Sequence, residues 1–438
     1  MNRTIKTKTL AAGLILAMAS LPAVSETTLD YQLETGVAHT NNINRGPVDG
    51  ADETVGIIGG ELDWTVDTRR ADGLIDATLE HRIFSNDTND DETLLSLNGE
   101  FDFELIDRLL SWQVTDNFGQ VLQDVFAPDN PQNRENVNVF STGPVVSLPL
   151  NSTNQIQFVA AYRDVSFEES PQDNDSLSGQ LSYQRSISET RTISLNLSSQ
   201  ALDFDRAIDP DFDRHSATVS FNSRTSRSNL EIEVGSNTVD FGSDREESDG
   251  ALFRLNFTRN LTSRLSLTLG ADQELSDTGQ LFGQFLNTRT PNLFGENTAD
   301  VEAEADALEQ RGANIGLSAQ QRNGSVFANI RYLDVDFQSS DDQDREGLTF
   351  SAGINREFAG GWRVGLNANL NAQDFVDGRE DDNLLVSLNV TRQLTRTLAL
   401  DARLTHTERD STDTLFSFDE DALRVTLLWQ PQRTRSRR

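Results

Sequence analysis

Residues 397–405, Thr397-Leu-Ala-Leu-Asp-Ala-Arg-Leu-Thr405, alternate apolar and mostly polar side chains. Successive side chains of a β-strand point to opposite faces, so an extended backbone sorts these residues into two groups. One face carries Leu398, Leu400, Ala402 and Leu404, and the other carries Ala399, Asp401, Arg403 and Thr405. The same alternation recurs in stretches of about ten residues along the chain after residue 25, which is typical of the wall of a transmembrane β-barrel.

Turn-forming residues divide this alternation into about twenty predicted strands, with a range of about 18–22. Short turns are predicted at Arg69–Gly73, Ile106–Arg108, Ser188–Thr190, Ser226–Arg227, Thr262–Ser263, Asn323–Gly324, Ala359–Gly361 and Thr395–Arg396. Between them lie longer acidic segments, among them Ser85–Glu92, Glu168–Asp175, Gly242–Gly250, Gln338–Asp344 and Val376–Asn383. We therefore predict an all-β, antiparallel up-and-down barrel with short periplasmic turns and long acidic extracellular loops.

Strand length distinguishes a membrane barrel from a soluble sandwich or propeller, which would show the same alternation. The alternating segment Trp362–Gln373 is longer than the usual soluble strand of about 5–6 residues. Its second face, which includes Asn367, Asn369 and Asn371, would give a wet lumen.

The ends of the chain have their own compositions. Arg3, Lys6 and Lys8 precede an uncharged apolar run and the small residues Ala23-Val-Ser25, which is the pattern of an export signal peptide. We predict a signal peptide at residues 1–25, an outer-membrane barrel at 26–429 and a basic periplasmic tail at 430–438.

Charge and cysteine content exclude several classes of function. The chain has 37 basic and 70 acidic residues and a formal net charge of −33, which makes nucleic acid an unfavourable partner. It has no cysteine, so disulfides, thiolate metal sites and cysteine nucleophiles are excluded. Lysine is absent after Lys8. The remaining arginines would suit a lipopolysaccharide surface, but the composition also fits a salt-adapted organism.

The four tryptophans are predicted to lie at one rim. They are Trp64, Trp112, Trp362 and Trp429, and each is close to a predicted short turn or to the last strand end. Tryptophan favours the membrane–water interface. We therefore predict that they form a periplasmic aromatic girdle, the alternative being tryptophans packed in a core.

Two long segments interrupt the repeating hairpins, Gly119–Asn136 and Ser276–Arg311. The end of the second, Val301–Arg311, has the composition of a helix. Loops of this length usually carry function or are disordered. Residues 276–311 are therefore expected either to fold over or into the barrel mouth or to form a mobile surface loop.

Motifs for catalysis or metal binding are weak. His39, His81, His215 and His406 stand apart without metalloprotease spacing, and an outer-membrane hydrolase using His215-Ser216 or His406 is the least favoured reading. Asp209-Pro-Asp-Phe-Asp213 spaces carboxylates as calcium loops do, but it lacks their glycine and closing glutamate. We predict no catalytic residues, cofactor or tight metal site, and expect only loose Ca²⁺ or Mg²⁺ at the acidic loops.

Three short segments, Thr40–Asn44, Trp112–Gly119 and Asn136–Pro144, resemble the outer-membrane β-barrel family associated with the PEP-CTERM and exopolysaccharide systems. The resemblance implies a non-enzymatic role in exopolysaccharide secretion or surface assembly. The implied partners are outer-membrane lipid and lipopolysaccharide, the barrel-assembly machinery, and exopolysaccharide or its export proteins. A general diffusion porin or uptake channel is the alternative.

Overall fold

The computed structural model describes residues 26–47, 50–124, 126–206, 211–242, 247–277, 298–302, 307–338 and 344–431. The predicted signal peptide, residues 1–25, and most of the predicted tail, residues 432–438, lie outside this set. Among the described residues, no helix is long and apolar enough to cross a membrane.

Within the described ranges, twenty-one strands form one sheet. They are β1 (Glu26–Thr40), β2 (Glu53–Asp67), β3 (Ala71–Phe84), β4 (Glu92–Ile106), β5 (Leu110–Leu122), β6 (Arg134–Pro149), β7 (Asn154–Phe167), β8 (Asn174–Ser188), β9 (Arg191–Phe204), β10 (Phe212–Arg224), β11 (Ser228–Asp240), β12 (Ser248–Asn260), β13 (Leu265–Asp277), β14 (Thr298–Glu302), β15 (Ala307–Gln321), β16 (Gly324–Phe337), β17 (Arg345–Phe358), β18 (Trp362–Phe375), β19 (Glu380–Gln393), β20 (Leu398–Ser411) and β21 (Phe418–Trp429). A single 3₁₀ turn, Pro131–Asn133, precedes β6.

Sequential strands pair antiparallel around the whole wall, with β13 pairing directly with β15. The sheet closes where β1 pairs with β21, from Leu33 opposite Trp429 to Thr40 opposite Ala422. The short strand β14 stands apart from the wall order and pairs in parallel with the end of β5. The wall is therefore a closed, up-and-down barrel of twenty strands, which confirms the predicted fold class and strand number.

Connections differ in length between the two ends of the barrel. One end has turns of two to four residues, and the other has the longer loops, including the one between β13 and β15. Eight of the short turns are those predicted from the sequence, although the first runs over residues 68–70, nearer the N-terminus than predicted. The turn Leu150–Thr153 between β6 and β7 was missed because Pro149 and the polar run after it resemble the long loops.

The two faces of each strand have the predicted characters. On β18, Leu366 and Leu370 on the outer face are 46% and 47% exposed. On the inner face of the same strand, Asn369 donates a hydrogen bond to Ser351 Oγ at 2.9 Å. The wall strands, of 12 to 16 residues, are long enough to cross a membrane. Their apolar outer face suits contact with lipid, and their polar inner face suits a water-filled lumen.

The described parts of Val301–Arg311, residues 301–302 and 307–311, are strands and not the helix that the composition favours. Residues 298–302 form β14, and Ala307 starts β15 opposite Asp277 of β13. Ala307 and Leu308 are fully buried, so packing and strand pairing at this position override the weak helix propensity of the segment.

Candidate functional site: the lumen and its outer mouth

Apolar side chains fill much of the loop end of the lumen. Val121 of β5 and Val137 of β6 belong to one buried cluster with Leu308 of β15 and Val335 of β16. These strand pairs lie on opposite sides of the barrel. Their contact means that the two walls meet across the lumen near the mouth.

The end of β13 bends into the lumen. Its pairing with β12 ends at Gln273, while residues 274–277 continue along β15. Arg214 of β10 and Asn237 of β11 both donate to the Leu275 carbonyl at 3.1 Å. Arg163 of β7 forms an ion pair with Asp277 at 2.9 Å. This end of the strand is therefore held by side chains of β7, β10 and β11.

The chain then reaches β5 before it returns to the wall. Thr298 and Ala299 of β14 pair with Gln120 and Val121 of β5, and the wall resumes at Ala307. The predicted entry of residues 276–311 into the mouth agrees with these contacts at the described ends of the segment. Residues 278–297 and 303–306 lie outside the described set.

A second loop lies between β5 and β6 at the mouth, and its described residues, 123–124 and 126–133, are called the cap here. Its 3₁₀ turn is closed by Asn130, whose side chain accepts from the backbone N–H groups of Gln132 and Asn133. Arg45, in the loop after β1, donates to the Asp129 carbonyl at 2.7 Å. Arg379, in the loop after β18, donates to the Phe126 carbonyl at 2.8 Å. The cap is thus held by the loops that follow β1 and β18.

Arg379 is buried among aromatic rings. Its guanidinium carbon lies 4.2 Å from the ring centroids of both Phe375 and Phe416, and 5.4 Å from that of Phe126. It also donates to Asp381 at 3.0 Å. Both partners are nearly inaccessible to water, so the ion pair and the stacking act in a low-dielectric environment.

Arg45 is anchored in the same way at the closure of the barrel. Its Nε donates to Glu420 of β21 at 2.9 Å, and Thr40 donates to the other oxygen of that carboxylate at 2.6 Å. Arg45 has φ 51°, a left-handed conformation that non-glycine residues seldom adopt. The pairing with Glu420 therefore holds an unfavourable backbone in place.

Below the mouth, charged side chains line a chamber of about 220 Å³ within the lumen. Arg424 of β21 forms ion pairs with Glu34 of β1 at 2.9 Å and with Glu80 of β3 at 2.8 Å. Arg82 then joins Glu80 to Glu92. This network links side chains of β1, β3 and β4 to Arg424 of the closing strand β21.

Towards the short turns, the lumen wall is acidic on one side and uncharged on another. Asp30, Asp63 and Asp76 are direct cross-strand neighbours on β1, β2 and β3. On β18 the corresponding wall is made of amides, including Asn367 and Asn371. Carboxylates would attract cations, whereas amides both donate and accept hydrogen bonds.

The histidines do not form a catalytic site. All four lie on the outer face near the loop end, and His406 contacts Asp421 at 2.9 Å. His215 and Ser216 point to opposite faces of β10, and Ser216 lies 2.6 Å from Ser198 on the inner face. The His215–Ser216 pair is therefore not a catalytic arrangement.

The weak calcium motif falls partly outside the described residues, which lack Asp209 and Pro210. Asp211 accepts a hydrogen bond from the Phe204 N–H at 2.8 Å and so organises its own loop. Among the residues that the structure describes, no group of three His, Asp or Glu side chains is arranged to hold a metal ion.

The four tryptophans lie on the outer face near the short-turn end. Trp112 donates to Thr142 at 2.8 Å, Trp64 packs on Phe101 with ring centroids 5.7 Å apart, and Trp429 contacts Tyr31 at 6.0 Å. Trp362 lies under Arg392. Their role as an interfacial girdle remains a prediction.

Sequence reasoning missed the cap contacts. The long loops are predicted to be acidic, but Arg45 and Arg379 occur in them. In the sequence, a single arginine within an acidic loop is therefore the feature that could have indicated a buried ion pair.

The chain is similar to known barrels in part of its sequence and in its fold. A family model described as "Putative beta-barrel porin 2" matches residues 329–431, from β16 to the end of β21. No curated protein matches the chain. Among solved structures, the siderophore receptor PirA from Acinetobacter baumannii is 8% identical, with 92% of this chain and 80% of that one covered and a TM-score of 0.50.

Two further structures have TM-scores below 0.5. A variant of the ferric enterobactin receptor PfeA from Pseudomonas aeruginosa is 9% identical, with coverages of 93% and 81% and a TM-score of 0.48. The FrpB iron transporter from Neisseria meningitidis, F5-1 variant, is 8% identical, with coverages of 92% and 82% and a TM-score of 0.49. At such identities a likeness concerns the fold alone. The chain is a bacterial outer-membrane β-barrel whose last six strands are similar to a β-barrel porin family.

Proposed function

We propose that this barrel is a conduit for saccharide chains that leave the cell during exopolysaccharide secretion, closed at its outer mouth by the cap. The observation that carries the proposal is the difference between the two halves of the lumen. Apolar clusters and the cap occupy the loop end, whereas polar side chains and the charged chamber line the lumen below it. This arrangement would let a saccharide chain enter from the periplasm while the outer mouth stays closed.

The lumen lining supports a hydroxylated cargo. Amide and hydroxyl groups such as Asn369, Ser351 and Thr349 can donate to and accept from sugar hydroxyls without requiring a charge on the sugar. The row formed by Asp30 and Asp63 would repel a polyanion. The proposed cargo is therefore an uncharged or cationic saccharide.

Deletion of the gene tests this function. We expect less polysaccharide on the cell surface and more in the periplasm, with recovery on expression of the wild-type chain. A matched control is Arg363→Ala, which alters an exposed ion pair with Glu357 at the short-turn rim and leaves the mouth intact. Unchanged surface polysaccharide after deletion would refute the secretion role.

A general diffusion channel is the second candidate, and the match of residues 329–431 to a porin family model favours it. Conductance of the purified barrel in planar bilayers separates the two candidates. A closed cap predicts low conductance with brief openings, whereas steady open conductance of the wild-type barrel would favour the diffusion channel.

A further inference from the structure

We propose that the outer face of β17, β18 and β19 at the short-turn rim binds the phosphate of a membrane phospholipid headgroup. Arg356 and Arg392 supply the positive charge, and Phe358 and Trp362 supply aromatic faces beside it. The site lies on the outside of the wall, so it is separate from the proposed conduit.

Strand register places these residues side by side. Phe358 is the direct cross-strand neighbour of Trp362, and Trp362 is that of Arg392. The Arg392 guanidinium carbon lies 4.8 Å from the Trp362 ring centroid, and that of Arg356 lies 5.8 Å from the Phe358 ring centroid. Two cations thus flank a pair of rings that remain about half exposed.

The β17–β18 turn orients one of these cations. Gly360 and Gly361 have φ angles of +83° and +79°, which L side chains rarely adopt, and Arg392 donates to the Gly360 carbonyl. A guanidinium has five N–H donors, so this contact leaves others for a ligand. Neither Arg356 nor Arg392 forms an ion pair with a carboxylate among the described residues.

The neighbouring surface argues for a lipid as the source of the phosphate. Immediately above the arginines, the outer face becomes apolar at Ile354, Val364 and Leu366. A phospholipid places its phosphate next to its acyl chains, so one molecule could contact both zones. An isolated phosphate ion would leave the apolar zone and the rings without a partner.

The charge on this rim fits the same ligand. The outer face at the short-turn end also carries Arg185, Arg191 and Arg259, whereas the outer face at the loop end carries carboxylates such as Asp213 and Asp421. The two membrane surfaces therefore meet belts of opposite charge. The arginine belt favours anionic headgroups on its side.

Native mass spectrometry of the folded barrel with added phosphatidylglycerol or phosphatidylcholine tests the site. The wild-type chain should retain phosphatidylglycerol more strongly, and each of Arg356→Ala and Arg392→Ala should weaken that retention about fivefold. Arg363→Ala removes an arginine from the same rim that pairs with Glu357 on the inner face, so it should leave retention unchanged.

Three results would overturn the proposal. The first is equal retention of phosphatidylglycerol by the wild type and the double variant Arg356→Ala/Arg392→Ala. The second is an equal loss in Arg363→Ala, which would indicate a nonspecific effect of rim charge. The third is displacement of phosphatidylglycerol by millimolar inorganic phosphate, because a lipid held also by its acyl chains should remain bound.

Discussion

Arg379→Ala should release the cap from the outer mouth. The substitution removes the hydrogen bond to the Phe126 carbonyl, the ion pair with Asp381, and the stacking on Phe375 and Phe416. Asp381 would then keep a buried carboxylate whose remaining cation among the described residues is Arg409, at 3.8 Å. The cap would lose its hydrogen bond to the loop after β18 and keep the ring contact of Phe126 with Phe375, whose centroids are 5.1 Å apart.

Removing one partner of a buried ion pair costs about 3–5 kcal/mol, because the other charge is left without compensation. The loss of cation–π contacts adds about 1–2 kcal/mol. Part of this cost destabilises the barrel as a whole, and the part specific to the closed cap shifts the mouth toward opening. Since about 1.4 kcal/mol corresponds to a factor of ten, a shift of about 3 kcal/mol raises the opening equilibrium about a hundredfold.

Single-channel recording in planar bilayers measures this shift directly. We expect longer and more frequent openings for Arg379→Ala than for the wild type, and an intermediate effect for Arg379→Ala/Asp381→Asn, which relieves the buried charge. Arg363→Ala serves as the control at the opposite rim. If folded Arg379→Ala barrels were as closed as the wild type, the apolar contact between β5, β6, β15 and β16 would be sufficient to close the lumen, and the gating role assigned to the cap would be refuted.

Three further changes test the wall and the lumen. Arg424→Ala should lower the free energy of unfolding by about 3 kcal/mol, measured by urea titration in vesicles, because it leaves two lumenal carboxylates without their shared cation; an unchanged midpoint would contradict this. Leu366→Arg, on the lipid face, should lower the free energy of unfolding by about 2–4 kcal/mol, whereas Asn367→Arg, on the adjacent lumenal position, should change it little. Equal losses of stability in the two variants would refute the assigned faces. In the Asn369→Cys variant, the lumenal thiol should not react with a bulky maleimide added to intact cells, and it should react when Arg379→Ala is also present. Labelling of the Asn369→Cys single variant would mean that the outer mouth is open.

The wall could be predicted from sequence because its determinants are local. Leu398, Leu400 and Leu404 reveal their shared face through spacing alone, and the short turns carry residues such as Gly360 and Gly361 that mark a tight reversal. The sequence of each hairpin is therefore sufficient to predict how its two strands are paired. Repetition of that pattern then indicates the barrel.

The mouth could not be predicted in the same way because its contacts join residues far apart in the chain. Arg379 meets Phe126 across 253 positions, and Arg45 meets Glu420 across 375. No periodicity links such pairs. The strand β14 escaped detection for a related reason: Thr298 and Ala299 pair with Gln120 and Val121 of β5, which lie far from them in the sequence.

Closure of the wall between β1 and β21 has a consequence for folding kinetics. Only eight residue pairs make this seam, whereas β1 and β2 share fifteen. Joining Leu33 to Trp429 closes a loop of nearly the whole chain, at an entropic cost of about 5 kcal/mol from the logarithmic dependence on loop length. Until β21 is in place, both edge strands would expose unpaired backbone groups. Seam formation should therefore be the late, slow step of folding, and substitutions between Leu33 and Thr40 should slow it more than comparable changes within any internal hairpin.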